Sequence, residues 1–182
     1  MKKTLVQLKD GTKVYGDEFD AQDFALLKNI FQKWLNINTD LKALGGRNLN
    51  VPDVFSEAVF CIAFDAVRTN ATAHSYDCVM KSTGEGVQVK SASIPNDCTS
   101  FGPTSTWDLL YFADFVPNGK IDGEIWFYKI ESEDIYGLVL NSKKGETFAD
   151  QQKQGRRPRF SVKKSIIEAK GLQPIKKINL AD

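Results

Sequence analysis

Asp77, Gln88 and Lys90 stand in the order Asp-x10-Gln-x-Lys, a spacing that can bring a carboxylate, a carboxamide and an ammonium together. The run Gly86-Val87-Gln88-Val89-Lys90-Ser91 has period two, so Gln88 and Lys90 share one face of a strand while Val87 and Val89 turn to the core. Tyr76-Asp77-Cys78-Val79-Met80 reads as the preceding strand, joined by a turn over residues 81–85, which sets Asp77 beside that face. Mg²⁺ takes oxygen ligands in an octahedral array and needs only one or two protein groups beside waters and a phosphate oxygen. Asp77 can give one oxygen, Gln88 a second through its carbonyl, and the Val89 main-chain carbonyl a third. Lys90 can orient an attacking water and offset negative charge developing on phosphorus. Polar sheet faces also carry Asp, Gln and Lys as plain solvated residues, so the spacing alone leaves both readings open.

The elements that must position these groups follow from periodicity. Residues 4–15 suit a hairpin around Asp10-Gly11. Phe24, Leu27, Ile30, Phe31, Trp34 and Leu35 recur at helical spacing and predict an amphipathic helix over about 20–36. A second helix is expected from Val51 to about Arg68, capped by Asn50, with Pro52 in its first turn. Glu57 sits in its middle among apolar neighbours. After the two strands comes a polar loop over 94–105, then strands over 109–115 and 123–130. Residues 135–140 fit a strand or a short helix, and Ser161 can cap a final helix over 162–170 that Gly171 ends. The expected architecture is one α/β domain over 1–182, a central mixed sheet flanked by helices.

Composition removes other chemistries. The chain has 182 residues with 42% hydrophobic and 26% charged, the profile of a globular protein of one domain. No apolar run approaches the roughly 20 residues of a membrane helix, and Met1-Lys2-Lys3 leads into no signal-like stretch, so a cytoplasmic protein with no membrane partner is expected. Cys61, Cys78 and Cys98 are odd in number and fit neither a disulfide framework nor a zinc knuckle; small core fillers is their expected role. His74 is the one histidine, which excludes multi-histidine metal sites, and it is assigned no role. Gly84-Glu85-Gly86 is followed by strand residues, not by a helix start, so there is no P-loop.

The net charge of +1 hides an imbalance. Residues 1–140 hold 13 Lys and Arg against 19 Asp and Glu, whereas 141–182 hold 11 against 4. A basic last quarter reads either as a polyanion contact or as a solvated tail.

Taken with its surroundings, the Asp77, Gln88, Lys90 constellation resembles the PD-(D/E)xK nuclease superfamily. The helix-borne Glu57 stands where that group has a glutamate ahead of the first acid. Ser91-Ala92-Ser93, Asp97-Cys98-Thr99-Ser100-Phe101-Gly102-Pro103, Trp107-Asp108-Leu109-Leu110-Tyr111-Phe112-Ala113-Asp114-Phe115 and the basic Gly155-Arg156-Arg157-Pro158-Arg159-Phe160-Ser161 follow in an order similar to small Type II restriction endonucleases, most like a family that cuts GCNGC. The likeness covers roughly residues 50–170. Two positions depart from the pattern: Tyr76 replaces the usual proline, and Gln88 replaces the second acid, which removes a charged ligand and throws weight on Glu57.

The resemblance implies a restriction-endonuclease-like fold and Mg²⁺-dependent hydrolysis of double-stranded DNA at a short palindrome, leaving 5′-phosphate ends. It assigns catalysis to Asp77, Gln88, Lys90 and Glu57, and the metal to Asp77, Gln88, Val89 and Glu57, with a structural ion pair as the other reading of Glu57. A cognate methyltransferase is the implied genetic partner. The radius of gyration for this length, roughly 16 Å, spans one half-site, so a homodimer matches the palindrome. Ser93, Asn96, Asp97, Thr99 and Ser100 on the polar loop are the candidates for major-groove contacts. Arg156, Arg157 and Arg159 suit phosphate or guanine. Trp107 either packs the strand edge or stacks near DNA. A structure-selective repair nuclease of the same fold and a DNA-binding protein with a decayed nuclease site remain alternatives.

Overall fold

A computed structural model of the chain describes residues 1–69 and 75–181; His74 lies outside the described residues. The expected hairpin forms from β1 (Lys2–Gln7) and β2 (Lys13–Glu18). Helix α1 (Ala21–Ala43) starts where Asp20 accepts the amides of Gln22 and Asp23 while the Asp23 carboxylate accepts the Asp20 amide, a reciprocal cap. It runs one and a half to two turns past the expected end, because Asn38 is buried and accepts the Leu49 amide at 2.7 Å, tying the following loop to its last turns.

Helix α2 (Asp53–Phe64) is shorter than expected. Pro52, not Asn50, is its N-cap, without a side-chain bond. Asp65 takes φ 53°, a left-handed turn that stops the helix and sends Ala66–Arg68 into strand β3. Helical periodicity ran on through these residues, but β3 is needed between β2 and β4 (Cys78–Met80) in the sheet, and pairing on both edges outweighs propensity.

From β5 (Gly86–Ala92) the chain makes a long excursion, including the short β6 (Thr99–Ser100), before β7 (Leu109–Asp114), β8 (Glu124–Ile130) and α3 (Ser132–Tyr136). A small hairpin of β9 (Val139–Asn141) and β10 (Glu146–Thr147), then α4 (Phe148–Lys153), leads to β11 (Arg159–Phe160). The closing helix, α5, has π-type pairing over Lys163–Glu168 and ends at Gly171, φ 63°. Strand β12 (Lys176–Asn179), absent from the sequence reading, then pairs with the edge of β8.

Eight strands make one mixed sheet in the order β1-β2-β3-β4-β5-β7-β8-β12. Every neighbouring pair is antiparallel except β5 and β7. A parallel pair requires a crossover, and residues 93–108 supply it. One face packs Val87, Val89, Tyr111 and Phe127 under α1 and α2, with Phe60 of α2 at 4.9 Å from the Tyr111 ring centroid. On the other face Leu110 and Phe112 meet Phe101, Phe148, Phe160 and Ile166 from the C-terminal elements. The architecture is the expected α/β restriction-endonuclease-like fold. Among the described residues no helix is long and apolar enough to cross a membrane.

Candidate active site

Asp77 is fixed from both sides just ahead of β4. Buried Thr69 donates both its amide (2.9 Å) and its Oγ1 (3.0 Å) to the Asp77 carbonyl, and the Asp77 amide donates to the Val87 carbonyl at 2.9 Å. Its carboxylate therefore reaches across to β5, where Oδ2 accepts the Val89 amide at 2.8 Å and the Gln88 Nε2–H. Cys78 pairs with Val87, the register that makes this reach possible. Gln88 is itself buried, 4% exposed. As it lies, it presents its amide nitrogen to Asp77; giving its carbonyl oxygen to a cation requires a half-turn of the carboxamide.

Glu57 comes from α2, about one turn into the helix, between the buried Ser56 and Ala58. Burial, with the Asp77 charge second, pushes its pKa up to about 7, against the opposing charges of Arg68 and Lys90. Arg68 Nη1 lies 3.9 Å from Glu57, while Nη2 bonds buried Asp17 at 3.0 Å. The ion-pair reading of Glu57 thus has a partner at long range, one engaged more closely with Asp17. Asp77 is raised as well, by burial, although the Val89 amide and the Lys90 charge pull it down.

A cleft of about 400 Å³ brings Glu57, Asp77, Val89 and Lys90 together with Thr99, Ser100 and Arg157, while Gln88 is set behind it and reaches the site only through its bond to Asp77. Lys90 Nζ lies 5.5 Å from the Phe101 ring centroid. Asn50, read from the sequence only as a helix cap, and Asp53, the first residue of α2, line the same cleft. Asp53 raises both Glu57 and Asp77, so three carboxylates charge this space. The Pro52-Asp53 helix start was the signal available for it.

The donor set fits a hard divalent cation. Two enclosed carboxylates, each held above its ordinary pKa, are relieved by positive charge between them, and oxygen ligands suit Mg²⁺. Among the described residues no three His, Cys, Asp or Glu side chains form a closed metal cage, so waters and a phosphate oxygen would complete the shell.

The proposed DNA contacts divide. Strand β6 pairs with β11, Ser100 opposite Arg159 and Thr99 opposite Phe160, so the polar loop and the basic segment form one unit at the cleft. Asn96, Arg157 and Arg159 are exposed. Asp97 and Ser93 are buried. Asp97 is turned inward: it accepts the Thr99 Oγ1 (2.7 Å), the Ser161 hydroxyl and the Val162 amide (2.9 Å), holding the start of the closing helix. Thr99 spends its hydroxyl on that carboxylate, and Ser100 Oγ is buried with no partner among the described residues. Arg156 pairs with Glu146 at 2.5 Å. Trp107 stacks on Tyr136 (5.7 Å) and donates to Ser132 Oγ, a packing residue. Cys61 and Cys78 are buried fillers, whereas Cys98 is exposed at the cleft rim.

An acid just ahead of β4 and a lysine on β5, faced by a helix-borne glutamate, sit together as the resemblance to one class implies, the Type II restriction endonucleases. Comparison with known proteins gives the group within that class. The model of the Bsp6I restriction endonuclease family matches residues 19–169. Type II restriction enzyme Bsp6I of Bacillus sp. (strain RFL6) is 35% identical over 150 residues, covering 81% of this chain and 82% of that protein. The chain belongs to the Bsp6I restriction endonuclease family. No solved structure matches it.

Proposed function

We propose that this enzyme hydrolyses double-stranded DNA at a short palindrome, GCNGC by resemblance, as a Mg²⁺-dependent homodimer leaving 5′-phosphate ends. The observation that carries the reading is the shared cleft: Glu57, Asp77 and Lys90 face one space whose rim holds Arg157. Asp77 and Glu57 are the residues to hold the cation, with Gln88 and the Val89 carbonyl as further donors. When bound, the cation supplies Lewis-acid polarisation of the scissile phosphate and a more acidic water.

The chain's own groups do the rest. Lys90 orients the attacking water and offsets charge on the phosphoryl oxygens in the transition state. Arg157 neutralises the incoming strand, and Arg159 and Asn96, exposed on the same unit, are the proposed contacts outside the cleft. Ser100 lines the cleft, and its Oγ, buried with no partner among the described residues, is free to donate to a DNA oxygen once its side chain turns outward. Ser93, Asp97 and Thr99 act indirectly by shaping this unit. A soluble cytoplasmic location and a cognate methyltransferase belong to the same reading.

Incubation with a plasmid bearing GCNGC sites in Mg²⁺ tests it. Discrete fragments ending in 5′-phosphate at those sites are expected. Structure-dependent nicking would replace this with a repair nuclease, and binding without cutting would mean that Gln88 marks a decayed site.

A further inference from the structure

Helix α1 carries a second apolar stripe that nothing in the described residues covers. Its buried side is Leu27, Phe31, Trp34 and Asn38. Leu26 (55% exposed), Ile30 (39%), Ile37 (48%) and Leu44 (85%) lie on another side, with Lys33 and Asp40 between them. At 3.6 residues per turn these six positions fall within an arc of about 80°, one straight seam along the helix. Ile30 was expected in the core and is found on this seam instead. On the flank away from the core the exposed positions include Asn29, Gln32 and Asn36, uncharged amides, so the charges at this surface are the seam's own Lys33 and Asp40.

We infer that this seam is the surface on which a second copy of the chain docks, α1 against α1, antiparallel about a two-fold axis at Ile37. The inference rests on the homodimer proposed above and names its interface. The charge pattern selects both the occupant and its direction. With Ile37 against its counterpart, Ile30 falls level with the partner copy's residue 44, and Lys33 comes within about 1.5 Å, along the axis, of the level of the partner copy's residue 40. Each copy then gives one lysine and one aspartate, and both pair with opposite charge. A parallel pairing would set lysine on lysine and aspartate on aspartate, which is repulsive. An isologous two-fold contact of this kind is self-complementary and closes at two copies.

The arrangement also places the clefts. Leu44 lies about 10 Å along the helix from the axis at Ile37. Asn50, six residues further on, is already a wall of the cleft. The two clefts therefore lie either side of one axis, the symmetry that a palindrome presents.

Sedimentation equilibrium of the full chain over a concentration series, with circular dichroism as a fold control, tests the interface. The wild type is expected to dimerise, and Ile37→Glu, at a half-exposed position, to fold normally yet dimerise at least about a hundredfold more weakly. Lys33→Glu alone and Asp40→Lys alone are each expected to weaken association about tenfold, and the double charge exchange to restore it. A wild type that stays monomeric with and without cognate DNA would overturn the homodimer itself. A dimer that survives Ile37→Glu, or a double exchange that fails to rescue, would leave the homodimer standing and overturn the α1 seam.

Discussion

Gln88 donates its side-chain amide to Asp77 and so holds that carboxylate in place. The same Asp77 oxygen accepts the Val89 amide at 2.8 Å. A carboxamide here serves Asp77 as a neutral donor in the absence of a cation, where a carboxylate would repel it.

Gln88→Glu is accordingly expected to split by condition. With chelator at pH 8 the new like-charge pair should lower stability by about 1–3 kcal/mol, as a hydrogen bond is exchanged for repulsion. With Mg²⁺ the added charge should lower the concentration for half-maximal cutting severalfold. Thermal melts in chelator beside a metal titration check this; an unchanged titration would place Gln88 away from the metal.

The catalytic assignment makes a sharper demand. Asp77→Asn and Lys90→Ala are each expected to reduce cleavage by about a thousandfold or more, the scale of losing one electrostatic stabiliser of the transition state. Both should keep the wild-type circular dichroism spectrum, because Lys90 is half-buried with an aromatic neighbour and Asn at 77 still accepts the Val89 amide. Cutting at the wild-type rate by either variant would dispose of this site.

Glu57 sets a pH dependence whose sign is opposite to that of an ordinary paired carboxylate. Its folded pKa, about 7, lies above the usual 4.5, so the folded state keeps the proton longer than the unfolded one. Stability from this group is full below 4.5 and falls as pH rises to about 7, by on the order of 2–3 kcal/mol. Glu57→Gln should remove that fall and make the metal-free protein more stable than wild type at pH 8. Mg²⁺, which must displace the proton, should raise the melting temperature of the wild type at pH 8 and hardly at pH 5. Melts of both proteins across pH 4.5–8, with and without Mg²⁺, are the measurement. A Glu57→Gln difference that does not change with pH would remove Glu57 from the cleft's electrostatics.

The three arginines are expected to differ among themselves. Arg157 lines the cleft and Arg159 sits on β11, whereas Arg156 is spent on Glu146. Arg157→Ala and Arg159→Ala should therefore weaken DNA binding more than Arg156→Ala. Loss of a phosphate contact should lower the salt slope by about one, and loss of a guanine contact should cost roughly 1–3 kcal/mol of preference for the site. Binding of Ca²⁺-loaded protein to cognate and scrambled duplexes over a salt series distinguishes the two. Equal, wild-type binding by all three variants would make the segment a solvated tail.

What the sequence determined by itself was local and periodic. Period two set Val87 and Val89 inward, helical spacing raised α1 and α2, and Asp10-Gly11 marked the first hairpin, because each depends on neighbours within a few residues. That Asp77 and Gln88 come together was legible for the same reason, since one turn joins their segments, but parity set Gln88 beside Lys90 on the site face, whereas it is Val89 and Lys90 that line the cleft. Only the tertiary structure decided the rest. Helical periodicity could not end α2 at Phe64, because β3 exists only through pairing with β2 and β4. Composition could not distinguish Asn96 at the surface from Asp97, whose carboxylate is consumed by Ser161 and Val162 more than sixty residues away. Nor could it draw Asp53 into the cleft or turn Ile30 outward, since both depend on how α1 and α2 roll against the sheet, a packing outcome that no residue's type records.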